Sequence, residues 1–305
     1  MNLAPIALFV YNRPDHTLRA LKSIAACPEA RQSELTVFSD AAKKPEHEAG
    51  VAEVRRVLRS EQWCGQVNIV EEELNRGIMK AVISGMTMLC REHGRAIALE
   101  DDLIVSPHFL TYMNNALNRY ADEPRVMAIG GFMFNAGLQI QEDALFLPFM
   151  SSWGWATWDR AWSCLDPTMS GYEKLKQSAQ LRYRFNLNGT YDYFRVLERW
   201  QELDAWDAMW YVSTFMLGGL SLYPKTSLVA NNGFDGTGLH YGDMGKELSK
   251  RIDGFEVTRF PEKIAVSSAF GQVRGAIARD FGPKPRQRVS SAIKELARCC
   301  GILKK

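Results

Sequence analysis

Arg95-Ala-Ile-Ala-Leu-Glu100-Asp101-Asp102 is the stretch that decides how the chain is read. Residues 95–99 form a brief apolar run bounded by Gly94 and by charge, the pattern of a buried strand at the centre of a parallel sheet. Ligands of open α/β sheets gather at the carboxyl ends of the strands, so Glu100, Asp101 and Asp102 fall where a site is expected. Three adjacent carboxylates repel one another and lose hydration unless a cation joins them. Hard oxygen donors of this kind suit Mg²⁺ or Mn²⁺, which commonly hold a diphosphate against a protein. The plainer alternative is a strand end whose acids face water or cap the next turn.

Upstream, residues 5–11 (PIALFVY) predict a first buried strand, closed by the turn residues Asn12-Arg13-Pro14-Asp15. Asp15 is expected to cap a helix with Leu18, Leu21, Ile24 and Ala25 on one face. A second strand (35–39) ends at Asp40, a charged amphipathic segment spans 46–59, and 67–70 suits a third strand. Asn75-Arg76-Gly77 opens a helix that leads into the acidic strand. The β-α-β-α-β-α-β order predicts a parallel sheet with crossover helices. Arg13, Asp40, Asn75 to Gly77 and the three acids could then converge on one ligand.

Downstream, Ser106-Pro107 reads as a helix start, and residues 126–134 and 145–149 as further strands. Trp153, Trp155, Trp158 and Trp162 follow within ten residues. Trp158 and Trp162, four apart on an expected helix, suit core packing. Trp153 and Trp155, around Gly154 in an expected loop, have the flat faces on which sugar rings stack. Residues 172–203 predict helix broken near Asn188-Gly189, and an apolar helix begins in 203–210, where Asp204 and Asp207 either serve the helix dipole or act chemically. Two short strands (220–224, 227–230) precede a glycine-rich loop ending at His240, where structural reasons for a histidine are few.

Composition excludes several classes. The 305 residues are 46% hydrophobic and 24% charged with net charge +2, which suits a globular enzyme and not a nucleic-acid glove. The six cysteines form neither a zinc pattern nor a disulfide framework, so a reducing, cytoplasmic setting is expected. Residues 1–10 lack the features of a signal peptide, and no uncharged apolar stretch reaches spanning length. There is neither a GxGxxG nor a GxxxxGK[ST] motif.

The set PIALFVYNRPDHT, FSD at 38–40, NRG at 75–77, EDD at 100–102, WGWATW at 153–158, WDAMW at 206–210 and NNGFDGTGLH ending at His240 resembles bacterial glycosyltransferases of the GT-A fold. These belong to the family-2-like group related to inverting enzymes of the N-acetylglucosaminyltransferase I type. The resemblance implies an α/β GT-A fold, Rossmann-like and nucleotide-sugar-binding, with a mixed, mostly parallel central sheet flanked by helices. It implies a catalytic domain over 1–245, with a nucleotide half to about 104 and an acceptor half from about 105, followed by an extension over 246–305. It also implies that Asp40 meets the nucleotide base, that Arg13, Asn75 and Arg76 lie near base and phosphates, and that Glu100 and Asp101 hold ribose hydroxyls or metal-bound water. Asp102 would bind Mn²⁺ or Mg²⁺ directly and His240 would close over the pyrophosphate as a second metal contact. Asp207 would be the general base of an inverting transfer from a nucleotide-sugar donor, UDP favoured, to a glycan or lipid-linked glycan acceptor. The triplet is EDD where the family motif is DxD.

From Gly271 onward nine basic residues face only Asp280 and Glu295, and residues 290–303 have the spacing of a basic amphipathic helix. An anionic membrane surface, the chain's own domain, or a second copy in a homodimer would each suit it, the first placing the protein at the inner face of the plasma membrane. Two other functions stay open: a non-catalytic sugar- or nucleotide-binding protein on the same fold, and a sugar nucleotidyltransferase. A binder has no need of Asp207, and a nucleotidyltransferase usually carries a glycine-rich phosphate loop that Asn12-Arg13-Pro14-Asp15 does not provide.

Overall fold

The computed structural model describes residues 3–200, 202–235 and 254–281. His240 and the basic stretch 290–303 lie outside the described residues.

Strand β1 (Ile6–Val10) is buried at all five positions, as an unbroken apolar run requires. Helix α1 (Pro14–Ala25) follows, with proline in its first turn, where a missing N–H is no loss. That proline sets the cap one residue earlier, at Arg13, so Asp15 lies inside the first turn and does not cap. The chain continues through β2 (Glu34–Ser39), α2 (Glu48–Leu58), β3 (Gln66–Glu71), α3 (Ile78–His93) and β4 (Arg95–Glu100). These four strands pair in parallel in the order β3-β2-β1-β4, the arrangement their alternation with helices predicts.

Beyond β4 come β5 (Leu103–Val105), α4 (Phe109–Arg119), β6 (Val126–Gly130), β7 (Ala144–Leu147), β8 (Trp155–Trp158) and α5 (Asp159–Trp162). Then follow α6 (Ser170–Gln177), α7 (Ala179–Phe185), α8 (Tyr193–Glu198), α9 (Trp206–Met216), β9 (Leu220–Pro224), β10 (Val229–Asn231) and α10 (Phe270–Phe281). The main sheet runs β3-β2-β1-β4-β8-β6-β9-β7, with β8 and β7 antiparallel to their neighbours. The architecture is thus a mixed, mostly parallel central sheet flanked by helices, as expected. A separate ribbon pairs β10 with β5.

Two local expectations fail. The helix expected at Ser106-Pro107 starts at Phe109, because Ser106 forms a turn ahead of it: its Oγ accepts from the His108 N–H at 3.2 Å. Residues 155–158, expected as loop and helix start, are a strand slotted antiparallel between β4 and β6. Its position in mid-sheet explains why Trp155 is only 1% exposed.

The buried tryptophans form a chain of rings. Trp206 stacks on Trp155 at 5.3 Å, Trp155 meets Trp162 at 5.5 Å, and Trp162 meets Trp210 at 5.0 Å. Each such pair adds about 0.5–1.5 kcal/mol beyond burial. Together they fasten the start of α9 to the sheet beside β4.

Residues 254–281 pack on the second half of the sheet and on α4. Phe260 lies parallel to Tyr112, the Tyr120 hydroxyl donates to the Pro261 carbonyl at 2.7 Å, and Val273, Ala276 and Ile277 of α10 are buried. Among the described residues no helix is long and apolar enough to cross a membrane.

Candidate active site at the carboxyl edge of the sheet

The end of β1 is bracketed by two acids. The Asp40 N–H donates to the Val10 carbonyl at 3.2 Å, and the Asp101 N–H to the Phe9 carbonyl at 3.1 Å. Register does this: β2 and β4 lie on either side of β1 and run the same way.

Asp40 is the centre of a folded loop. One oxygen accepts from the N–H groups of Ala41 (2.9 Å) and Arg76 (2.8 Å), the other from the Gly77 N–H and the Asn75 amide, both at 2.9 Å. Gly77 has φ +78°, a left-handed backbone that glycine adopts without a steric penalty. The Arg76 guanidinium turns outward to Glu72 at 2.8 Å. The structure therefore brings Asp40, Asn75 and Arg76 together. The acceptor positions of Asp40 are occupied by loop 75–77, and its immediate role is to shape that loop.

Arg13 leaves the end of β1 toward the acids. Its guanidinium closes on Asp101, which is 3% exposed, and reaches Asp102 Oδ2 at 3.0 Å. Burial works against the Arg13 charge, but the two carboxylates outweigh it and hold the guanidinium more firmly protonated than usual. Burial pushes the Glu100 carboxyl well above the usual range, reinforced by Asp102, Asp101 and Asp207, while Arg13 pulls weakly the other way. Burial also raises Asp101, against the opposing pull of Arg13. Arg13 thus pairs with two carboxylates, Asp101 and Asp102, while Glu100 beside them is the acid that burial shifts most strongly upward.

Asp102 is backed by the segment after β10. Its carbonyl accepts from the Asn232 N–H at 2.8 Å, and a side chain at residue 233 would run into Asp102 Oδ2, which is why glycine stands there. His16 of α1 holds the same segment, with Nε2 3.3 Å from the Asn232 carbonyl and 3.2 Å from Asp235 Oδ2. Asn12, Arg13, His16, Arg19 and Asp235 line a hollow of about 430 Å³ at this edge.

Among the described residues no three His, Cys, Asp or Glu side chains are arranged to hold a metal ion by themselves. A small hard cation does not require such a cage, since Mg²⁺ is usually bound by one or two carboxylates together with water and substrate phosphates. Asp102, whose side chain is 16% exposed, is the member of the triplet that fits that part. The surplus of carboxyl groups over Arg13 favours a cation beside it.

Asp207 comes from the other half of the chain. It occupies the first turn of α9, its Oδ1 accepting from the Ala208 N–H at 2.9 Å and its Oδ2 from the Ser152 hydroxyl at 3.4 Å. The neighbouring Trp206 anchors this turn, which is how the ring chain sets the carboxylate near Glu100. On its other side Asp207 lines a cavity of about 60 Å³ with Met150, Tyr191, Tyr193, Val196 and Tyr211. Burial raises the phenols of Tyr193 and Tyr211 far above their usual value, so they remain neutral. Sequence reading missed these tyrosines. The aromatic doublet Tyr191-Asp192-Tyr193, just past the break at Asn188-Gly189, was their one signal.

Of the residues expected to stack on a sugar, Trp155 is corrected: it is sealed in the sheet, out of a ligand's reach. Trp153 is half-buried and packs edge-on against Phe132 at 4.4 Å and Phe234 at 5.6 Å. Gly154 turns the chain into β8, its carbonyl accepting from the Gly131 N–H at 2.7 Å.

No family model matches the chain, and no curated protein matches it. Among solved structures it is similar to GalNAc-T7 with UDP, GalNAc and Mn²⁺, at 13% identity and TM-score 0.43, covering 75% of this chain and 44% of that one. It is also similar to S. aureus TarS (12% identity, TM-score 0.39, 74% of this chain and 36% of that one). A third is mouse xyloside xylosyltransferase 1 in its apo form (12%, 0.36, 57% and 75%). The chain spans less than half the length of the first two.

Proposed function

We propose that the protein is a metal-dependent inverting glycosyltransferase that moves a sugar from a nucleotide-diphosphate sugar, UDP favoured, to a hydroxyl of a glycan or lipid-linked glycan. The observation that carries this reading is the place of Asp207, between the acids ending β4 and a tyrosine-lined cavity. A donor held against β4 would lie beside its carboxylate; the cavity, at about 60 Å³, has room for an acceptor's hydroxyl end and not for a whole sugar.

Asp207 takes the proton of the acceptor hydroxyl as that oxygen attacks the anomeric carbon, and the bond to the diphosphate breaks on the opposite face. Ser152 and the Ala208 N–H orient the base. Arg13 fixes Asp101 and Asp102 in place. Asp102 would hold Mn²⁺ or Mg²⁺, which when bound offsets charge on the departing diphosphate. Tyr191 and Tyr193, both half-buried, are the tyrosines whose rings a sugar could meet, while Tyr211 is buried with its hydroxyl on the Phe185 carbonyl.

The test is transfer from a panel of nucleotide sugars to glycan acceptors, read by mass of the product. Asp207→Asn is expected to lower turnover by about 10²-fold or more while nucleotide affinity is kept. Unchanged turnover in that variant would remove Asp207 from the reaction.

A further inference from the structure

Asp204 has no part in the chemistry described so far. As a dipole partner it would sit in the first turn of α9, yet the helix begins at Trp206 and Ala205 takes the cap. Asp204 instead has φ +49°, a left-handed conformation that side-chain-bearing residues adopt with strain, though aspartate tolerates it better than most. The turn is pinned on both sides, by the Ala205 N–H to the Trp200 carbonyl and by the Trp206 N–H to the Asp204 carbonyl, both at 2.9 Å.

The result is that Asp204 Oδ2 lies 3.7 Å from where a side chain on Gly77 would begin. Gly77 heads α3, and its N–H is held by Asp40. Asp204 therefore stands against the loop that Asp40 shapes, three residues from Asp207. It is half-buried, and among the described residues its carboxylate has no hydrogen-bond or ion-pair partner. A strained backbone kept beside a site, with a carboxylate that no group among the described residues engages and that a ligand's hydroxyls can reach, is the arrangement expected of a ligand contact.

The charge selects the ligand. A carboxylate repels phosphate oxygens, so the diphosphate belongs toward Arg13 and the cation that Asp102 would hold. What a carboxylate accepts well is a pair of adjacent hydroxyls, one to each oxygen.

We propose that Asp204 is a specificity residue of the donor site, accepting hydrogen bonds from a vicinal diol of the nucleotide sugar. This role rests on the glycosyltransferase reading above. The diol belongs either to the transferred sugar or to the ribose, and the two are separable by experiment.

The experiment is calorimetric titration of the full chain, in the presence of Mn²⁺, with UDP, GDP and dTDP and with their glucose, galactose and N-acetylglucosamine conjugates. Wild type is compared with Asp204→Asn, which keeps side-chain size, and with Asp204→Gly, which suits the left-handed backbone. Thermal melts report that both variants are folded. Both are expected to lose about tenfold or more in donor affinity, the size of a hydrogen bond to a charged group. A loss with UDP alone that is absent with 2′,3′-dideoxy-UDP assigns the diol to ribose; a loss confined to the sugar conjugates assigns it to the transferred sugar. Wild type and variants binding every donor equally would overturn the assignment while leaving the transferase reading intact. A wild type that binds no nucleotide under any condition would overturn both.

Discussion

Arg13 Nη2 lies 3.0 Å from Asp102 Oδ2 while the same guanidinium closes on Asp101, so the carboxylate best placed for a metal ion is already shared with an arginine. A cation arriving at Asp102 joins a cluster already partly neutralised. Arg13→Ala should destabilise the protein by about 3 kcal/mol, because buried carboxylates lose their partner. Millimolar Mn²⁺ or Mg²⁺ should then raise the melting temperature of the variant more than that of wild type. Equal metal-induced shifts in calorimetry would show that the ion does not enter this cluster.

Glu100 supplies a pH test. Its carboxyl is held well above the usual range by burial and by Asp102, Asp101 and Asp207. The native state keeps this proton where the unfolded chain has released it. Stability from this group is therefore full below about pH 4, the unfolded value, and falls as pH rises through the native pKa. Glu100→Gln cannot ionise and should gain stability relative to wild type as pH increases from about 4 toward 8, in metal-free buffer. Asp101 shifts in the same direction but is present in both proteins, so it cancels to first order. Parallel stability curves in denaturant titrations would refute an upward shift of the Glu100 carboxyl.

Gly233 tests the backing of Asp102. A methyl group there would meet Asp102 Oδ2 and stand 3.1 Å from Asn231 Oδ1. Gly233→Ala should displace the carboxylate and weaken metal-dependent nucleotide binding about tenfold, the usual scale for disturbing a ligand's support. Isothermal titration with and without Mn²⁺ gives the measurement, and a variant binding as tightly as wild type would place the metal elsewhere.

Most of the parallel half of the sheet was legible because buried strands such as β1, β2 and β4 are largely apolar runs, each ending in a turn or an acid, as at Asp40 and Glu100. Strand β3, by contrast, is half-exposed. The segment 155–158 was not, since tryptophans spaced three and four apart fit a helix face, and only pairing with β4 and β6 shows the strand. Strand β5, three residues long, is too short for periodicity to reveal, whereas β10 falls on the short strand expected over 227–230. The acids could be placed at a strand end from sequence. Their tie to Arg13, the loop wrapped around Asp40, and the cavity built from Tyr191, Tyr193 and Tyr211 are tertiary facts with no local signature. Asp204 was read as a helix residue because nothing in the chain announces a left-handed turn at that position.

Asp143 is one of the ties that hold residues 258–259 against the end of the sheet. Burial alone would raise its pKa, but hydrogen bonds from the guanidinium and N–H of Arg259 and from Thr258 prevail and lower it to about 2. The contribution is present above the unfolded value near pH 4 and is lost as pH falls toward about 2. Asp143→Ala should lower stability by about 1 kcal/mol at neutral pH. Urea titrations of the two proteins should converge near pH 2, and a difference unchanged by acid would show that the interaction is not ionic.

The most direct measurement of the central claim is titration of UDP, GDP and dTDP into the protein with and without Mn²⁺, repeated with Asp102→Asn. The site described here predicts metal-dependent binding of one nucleotide that the variant loses by about tenfold or more. Absence of nucleotide binding under every condition, or binding indifferent to both metal and Asp102, would contradict it and return Glu100, Asp101 and Asp102 to the role of a buried, arginine-capped strand end.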